Sequence, residues 1–291
     1  MIVPLDKPAG PTSSACVRRL GLASGQRAGH AGTLDPGATG LLVVCLGEYR
    51  KLAGLLATHD KRYHATLRLG TATDTLDAWG EVVEEKDVPI LDEDSVSRVA
   101  SRFTGRIRQA VPAFSAVKRG GVPLHRLARR GQPLDLPERE VTISAIQVVR
   151  IEGRDVLIDV ICGAGTYIRS LARDIAGALG TVGHVASLRR TACGSILVEG
   201  APTLDEAVAL ARSGDLARHA VPCTLALRGL ELLGADEQAV RTLRSGRPVP
   251  LDGLTVISKG SAPLIVLDGR GEAVCVAGLE GASVRPRRVL L

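Results

Sequence analysis

Hydrophobic and polar positions alternate along this chain in short blocks, and the blocks change period repeatedly. An apolar opening, Ile2 to Leu5, runs into the proline-broken turn Pro8-Ala9-Gly10-Pro11, after which Thr12 or Ser13 is placed to cap a helix through Leu20. Leu41 to Leu46 is a continuous apolar run of strand length. Between Glu48 and Thr58, Leu52, Leu55 and Leu56 recur at helical spacing. From Lys61 to Leu69 the period drops to two, with Tyr63, Ala65, Leu67 and Leu69 on one face and His64, Thr66 and Arg68 on the other.

Further along, Asp92 or Asp94 is placed to cap a helix carrying Val96, Val99, Ala100 and Phe103, which Gly105 ends. Val141 to Cys162 reads as two strands around a Glu152–Asp155 turn. A helix follows, with Thr166 as its cap, Ile168, Leu171, Ala172, Ile175, Ala178 and Leu179 as its buried stripe, and Gly180 as its stop. Thr203 and Glu206 form a capping box for one more helix. After about residue 225 the texture becomes short apolar runs, 254–257, 264–267, 273–277 and 289–291, separated by Gly, Pro and Ser, which predicts a small β domain. The pattern gives an α+β chain with one large domain, 1–225, and a small β domain, 226–291.

Two loops and one segment stand outside these periods. In 27–40, Asp35 lies among four glycines, a proline and small residues directly before a buried strand. Glycines allow close approach, and Pro36 biases Asp35 toward extended backbone, so the loop exposes the acid. A plain Asp-Pro turn is the simpler alternative. The second loop, 71–80, holds Asp74 and Asp77, read as loop-structuring acids and not as a glycosidase pair. Segment 106–131 carries Lys118, Arg119, Arg126, Arg129 and Arg130 with few acids, the strongest local candidate for phosphate contact, against the alternative of a solvated basic helix.

Composition narrows the class. An apolar content of 45% excludes a disordered chain, and a formal net charge of +6 favours a polyanionic partner. Aromatics make up only 2%, so a tyrosine kept beside polar residues reads as a stacking surface rather than as filling. The six cysteines are scattered without a C-x-x-C pair and read as reduced core thiols of a cytoplasmic protein. The six histidines show no ligand spacing, so no metal is expected. No signal peptide or membrane span is apparent, and neither a phosphate-cradling Gly-Lys-Ser/Thr loop nor a dinucleotide fingerprint occurs, so no cofactor is expected.

The run Gly29-His30-x-Gly32-Thr33-Leu34-Asp35-Pro36-x-Ala38-Thr39-Gly40 resembles the signature of the bacterial tRNA pseudouridine synthase B (TruB) family. Supporting matches are Asp6-Lys7-Pro8-x-Gly10 with Thr12-Ser13, the Lys61-x-Tyr63 element, Thr73-Asp74-Thr75-x-Asp77-x-x-Gly80, Gly165-Thr166-Tyr167-Ile168-Arg169 with Asp174, and Leu188-Arg189-Arg190. The resemblance implies a pseudouridine synthase fold, a large, mainly antiparallel sheet flanked by helices, with a C-terminal PUA-like RNA-binding domain. It implies Asp35 as the catalytic residue, Tyr63 stacking on the target base, Arg169 pairing with the catalytic carboxylate and Tyr167 packing in the same pocket.

Leu188 fits either that pocket or ordinary core. His30 could occupy the vacated stack, contact the backbone or be structural. The implied substrate is uridine 55 in the T arm of tRNA, with no protein partner and no membrane required, and a monomer is expected because no apolar stretch is surplus to the core. Val111, Phe114 and His125 depart from the family's usual Pro and Tyr residues in the RNA-gripping segment. Two alternatives remain: a non-catalytic RNA-binding protein or tRNA folding helper, and a guide-RNA-dependent relative of the same superfamily. Hydrolysis by an acid pair is disfavoured by the lone catalytic acid.

Overall fold

A computed structural model describes residues 1–128 and 135–290 and divides into two compact units. The first comprises Met1–Pro36, Gly40–His59 and Ala192–Leu291; the second comprises Gly37–Thr39 and Asp60–Thr191.

In the second unit, strands Lys61–Leu69, Asp155–Cys162, Glu138–Glu152 and Gly105–Ala110 lie side by side in that order, every pair antiparallel. The register sets Tyr63 opposite Val160, Ala65 opposite Ile158 and Leu67 opposite Val156. The buried face of period-two residues is the expected one. Ala65, Leu67 and Leu69 join Val156, Ile158, Val160 and Cys162 in one core, with Tyr63 and Leu188 packed at its margin. Helix Ile168–Ala178 covers that core with Ile168, Leu171, Ala172, Ile175 and Ala176. Helix Glu93–Ser101 adds Val96 and Ala100, and of its two candidate caps Asp92 is the one used, accepting from the Ser95 N–H at 2.8 Å. The helix stops at Ser101, short of Gly105, because Arg102 to Thr104 close a turn before the chain bends into the strand.

One sequence expectation needs correction here. Thr166 does not cap the long helix: the N-cap is Tyr167, and the Thr166 hydroxyl instead donates to the Gly163 carbonyl at 3.0 Å. Gln109, from a strand 58 residues away in sequence, supplies the acceptor, its Oε1 taking the Tyr167 N–H at 2.8 Å. The C-terminal stop is as read, with Gly180 at φ 84°.

In the first unit, strand Ile2–Lys7 runs antiparallel to Thr39–Leu46, pairing Leu5 with Leu42 and Lys7 with Gly40, and Ala28–His30 pairs on the other side. Thr12 caps helix Ser13–Ser24, accepting from the Ala15 N–H at 3.1 Å, and Gly25 ends it in the left-handed region at φ 65°. That is one turn later than the sequence pattern placed the end, because Gly21 is tolerated inside the helix. The capping box of Thr203 and Glu206 forms as expected.

The C-terminal region is a six-stranded sheet in the order Val249–Pro250, Ser283–Val289, Ala273–Glu280, Ser261–Leu267, Leu230–Gly234, Thr255–Ser258. Leu230–Gly234 and the helix Glu237–Arg244, capped by Asp236, did not stand out in the sequence. The last strand also begins earlier than 289. It accommodates Pro286 beside a register shift in its partner, where one ladder bond is dispensable. The strand sets Arg285 and Arg287 against Glu280 at 2.6 and 3.1 Å. Ile2, Leu41, Val43 and Cys45 share one core with Leu232, Ile265, Leu267 and Leu290, so strands from the two chain ends stabilise each other.

Tyr49 departs from the reading of tyrosines as stacking surfaces. Its hydroxyl donates to Glu272 and accepts from the Ala273 N–H at 3.3 Å, and burial together with the Glu272 carboxylate holds its pKa well above the ordinary tyrosine range. All six cysteines are buried thiols, and burial pushes Cys45 and Cys275 up to about 12 and Cys162 to about 11. Among the described residues no helix is long and apolar enough to cross a membrane, and no group of three or more His, Cys, Asp or Glu is placed to hold a metal ion.

Candidate active site

Asp35 sits in the first unit, partly exposed, on a loop whose neighbours are fastened on both sides. On the upstream side, Leu34 is buried, and Ser13 Oγ both accepts its N–H and donates to its carbonyl, each at 2.8 Å. On the downstream side, the Pro36 carbonyl accepts from the Gly10 N–H at 2.9 Å and from Lys7 Nζ at 3.1 Å. Ala31 donates to the Val43 carbonyl at 2.9 Å, which ties the loop to the buried strand. The opening residues Lys7, Gly10 and Ser13 therefore act as a clamp on the acid loop. Lys7 is fully buried, its ammonium divided between the Pro8 and Pro36 carbonyls. His30 is in the same unit, half-buried at the end of its short strand and opposite Val44.

Removing the Ser13 hydroxyl leaves a buried N–H and a buried carbonyl without their partner. Ser13→Ala is expected to destabilise the protein by about 1–3 kcal/mol in urea unfolding and to lower turnover, because the backbone before Asp35 loses its anchor.

In the second unit the structure brings together Tyr63, Leu188 and the start of the helix that bears Tyr167 and Arg169. Arg169 is only 4% exposed. Its Nη1 donates to the Thr75 carbonyl at 2.7 Å and its Nη2 to the Phe114 carbonyl at 3.0 Å, while Nε lies 3.8 Å from Asp77 Oδ2. Asp77 is held in turn: its Oδ1 accepts from Thr75 Oγ1 at 2.7 Å and from the Trp79 N–H at 3.0 Å. The guanidinium is thus fixed by two main-chain carbonyls from distant segments and by one carboxylate.

The reading of Asp74 and Asp77 as loop-structuring acids holds for these hydrogen bonds, and Asp74 Oδ1 likewise accepts the Glu81 N–H at 2.9 Å. What the sequence did not disclose is that Asp77 also faces Arg169. Gln109 was missed as well, although its alternation with Arg106 and Arg108 puts it on the inward face beside Ile107, which is the signal that could have found it.

Residues 19–168 match the family model described as TruB family pseudouridylate synthase, N-terminal domain. The chain belongs to the TruB family. Residues 169–227 match the tRNA pseudouridylate synthase B C-terminal domain. The chain is 39% identical over 290 residues to the tRNA pseudouridine synthase B of Burkholderia lata, covering 99% of this chain and 89% of the relative. It is 41% identical over 248 residues to that of Xanthomonas campestris pv. campestris, covering 84% and 80%. Among solved structures it is similar to an H/ACA RNP bound to a substrate RNA containing 2′-deoxyuridine, with TM-score 0.76 and 26% identity over 100% of this chain and 84% of that one. A Cbf5-Nop10-Gar1 complex gives TM-score 0.76 and 28% identity, again over 100% and 84%. The fold is the pseudouridine synthase α+β fold with a small C-terminal β domain, as the TruB resemblance implied.

The segment that holds the basic residues folds as a tight hairpin, Lys118–Arg119 against Val122–Pro123, followed by the short helix Leu124–Ala128. Gly120 and Gly121 make the turn, at φ 55° and 82°, values that suit glycine. Lys118 and Arg126 are exposed; Arg129 and Arg130 lie outside the described residues. Two departures from the TruB pattern acquire physical readings. At 114 the group that reaches Arg169 is the main-chain carbonyl, which any side chain leaves in place. His125 bonds through Nδ1 to the Ser115 carbonyl at 2.9 Å, closing the segment on itself.

Proposed function

We propose that this chain isomerises uridine to pseudouridine in tRNA, at uridine 55 of the T arm, with Asp35 as the nucleophile. The observation that carries the reading is the clamped loop: an acid left accessible while Leu34 and Pro36, on either side of it, are locked by Ser13, Gly10 and Lys7. Such rigidity is costly for a plain turn and useful for a nucleophile, which gains rate from being held in reacting geometry. TruB membership and relatives named tRNA pseudouridine synthase B support the same chemistry.

In this reaction the N1–C1′ bond breaks, the uracil turns, and C1′ bonds to C5; the C5 proton leaves and N1 takes one up, with no redox change. Asp35 supplies the attacking carboxylate at C1′ of the ribose or at C6 of the base. Arg169 offers its guanidinium to that carboxylate, Tyr63 offers a face to the freed base at about 1–3 kcal/mol of stacking, Tyr167 and Leu188 wall the pocket, and His30 occupies the vacated stack or contacts the backbone. A base in a structured loop is splayed out at low cost, which suits a T arm. The enzyme acts in the cytoplasm as a monomer without cofactor or protein partner. Its identity of 39–41% to relatives named tRNA pseudouridine synthase B, against 26–28% to chains of an H/ACA RNP and a Cbf5-Nop10-Gar1 complex, favours independence from a guide RNA.

The test is a tRNA transcript carrying tritium at uracil C5. Release of one tritium per tRNA, mapped to position 55, is the expected result. Bound but unreacted tRNA would leave only the binding-protein reading, and free uracil would indicate hydrolysis.

Phosphate contact by the exposed Lys118 and Arg126 sets the salt dependence. The double variant Lys118→Ala, Arg126→Ala is expected to weaken tRNA binding and to reduce the slope of log Kd against log salt by about 2, about one per lost contact. An unchanged slope in filter binding from low to moderate salt would remove these two residues from the interface.

A further inference from the structure

The chain has one tryptophan, Trp79, and it is 61% exposed, a large aromatic surface facing water in a protein otherwise poor in aromatics. It is not a loose side chain on a mobile tip. Its main-chain N–H donates to Asp77 Oδ1, the Thr73 hydroxyl donates to the Asp77 carbonyl at 2.7 Å, and Ala78 and Leu76 exchange main-chain bonds with Val185 at 3.0 and 3.1 Å. Leu76 adopts φ 61°, a conformation that costs a β-carbon residue energy and persists only where the surroundings impose it. The indole edge rests on Gly37, where a β-carbon would come within 2.5 Å of Nε1, so any larger residue at 37 would displace the ring.

Gly37 occupies an open position of the acid-loop signature, two residues after Asp35. The loop that carries Trp79, 71–80, reaches Arg169 through Asp77. A rigid indole, seated by its edge and otherwise exposed, loses little entropy on stacking, and every nucleobase offers it a π face.

We propose that Trp79 is a stacking platform for a base of the substrate RNA next to the target uridine, a positioning residue that places the RNA beside the acid loop. The proposal rests on the tRNA reading above and adds a residue outside the family signature. Because Trp79 is the sole tryptophan, intrinsic fluorescence reads it directly. Titrating the full-length protein with a synthetic T-arm hairpin should quench the emission to saturation, with a midpoint equal to the Kd from filter binding. Trp79→Ala should weaken binding about tenfold, with the loss carried by Kd and KM, while Trp79→Phe recovers most of it. Since the indole carries no charge, the salt slope should not change in either variant.

No emission change at saturating hairpin, or wild-type Kd and KM in Trp79→Ala, overturns the proposal. So does a loss confined to kcat that Phe does not repair, which would make Trp79 a mere support for the Gly37 loop. The quench is read without turnover, so it remains informative if tritium release fails. Conversely, full release with no quench leaves the tRNA reading intact and removes Trp79 alone.

Discussion

Asp35→Asn is expected to bind tRNA with wild-type affinity and to release no tritium above about one part in 10⁴ of the wild-type rate. The carboxamide has the shape of the carboxylate, so the loop has no reason to move: Ser13 still holds Leu34, and Gly10 with Lys7 still holds Pro36. Stability should therefore change by no more than about 0.5 kcal/mol, the usual range for a substitution that disturbs no buried contact. On the proposed mechanism what would be lost is nucleophilicity, since an amide neither attacks C1′ nor adds to C6. Loss of a covalent nucleophile generally costs about 10⁴ to 10⁶ in rate. Single-turnover tritium release with enzyme in excess measures the chemical step apart from product release. Residual turnover within a hundredfold of wild type would assign the chemistry to another residue.

Arg169→Lys is expected to lose about a thousandfold in rate although its charge is conserved. The guanidinium presents separate nitrogens to the Thr75 and Phe114 carbonyls and a third to Asp77, a planar fork that joins residues from three places in the sequence. An ammonium is a point charge on a flexible stem and cannot make all three contacts while serving a carboxylate. Loss of one preorganised electrostatic group costs about 2.7–4 kcal/mol in the barrier, and a buried carbonyl left without its donor adds about 1–3 kcal/mol of instability.

Arg169→Met goes further. Asp77 then loses its cation at a site where Arg169 is buried, and the expected destabilisation rises to about 3–5 kcal/mol. Urea unfolding separates the two effects, because kinetics run well below the transition of the least stable variant report chemistry alone. An Arg169→Lys protein with wild-type kcat would show that Arg169 serves the fold and not the reaction.

The two experiments probe residues that the sequence marks with unequal clarity. Asp35 is legible because its loop is local: glycines, a proline and small residues within a dozen positions announce an exposed acid, and the motif names its family. Tyr63 is legible for a related reason, since period two fixes the face on which it must lie, and the strand register bears this out. The role of Arg169 in holding remote carbonyls is not legible, because Thr75 and Phe114 lie 94 and 55 residues away and act through main-chain atoms that carry no side-chain signature.

By itself, then, the sequence determined the strongly periodic helices and strands, the apolar faces of those elements, and which acid the surrounding glycines present. All of these depend on periodicity and local backbone preference, which operate over a few residues. Only the tertiary structure decided that the opening segment clamps the acid loop, that Gln109 rather than Thr166 receives the first N–H of the long helix, that Asp77 faces Arg169, and that Trp79 lies on Gly37. Those are pairings between groups far apart along the chain. Which donor meets which acceptor is set by how strands register and helices pack, and the requirement that buried polar groups find partners selects the outcome only once the core has formed.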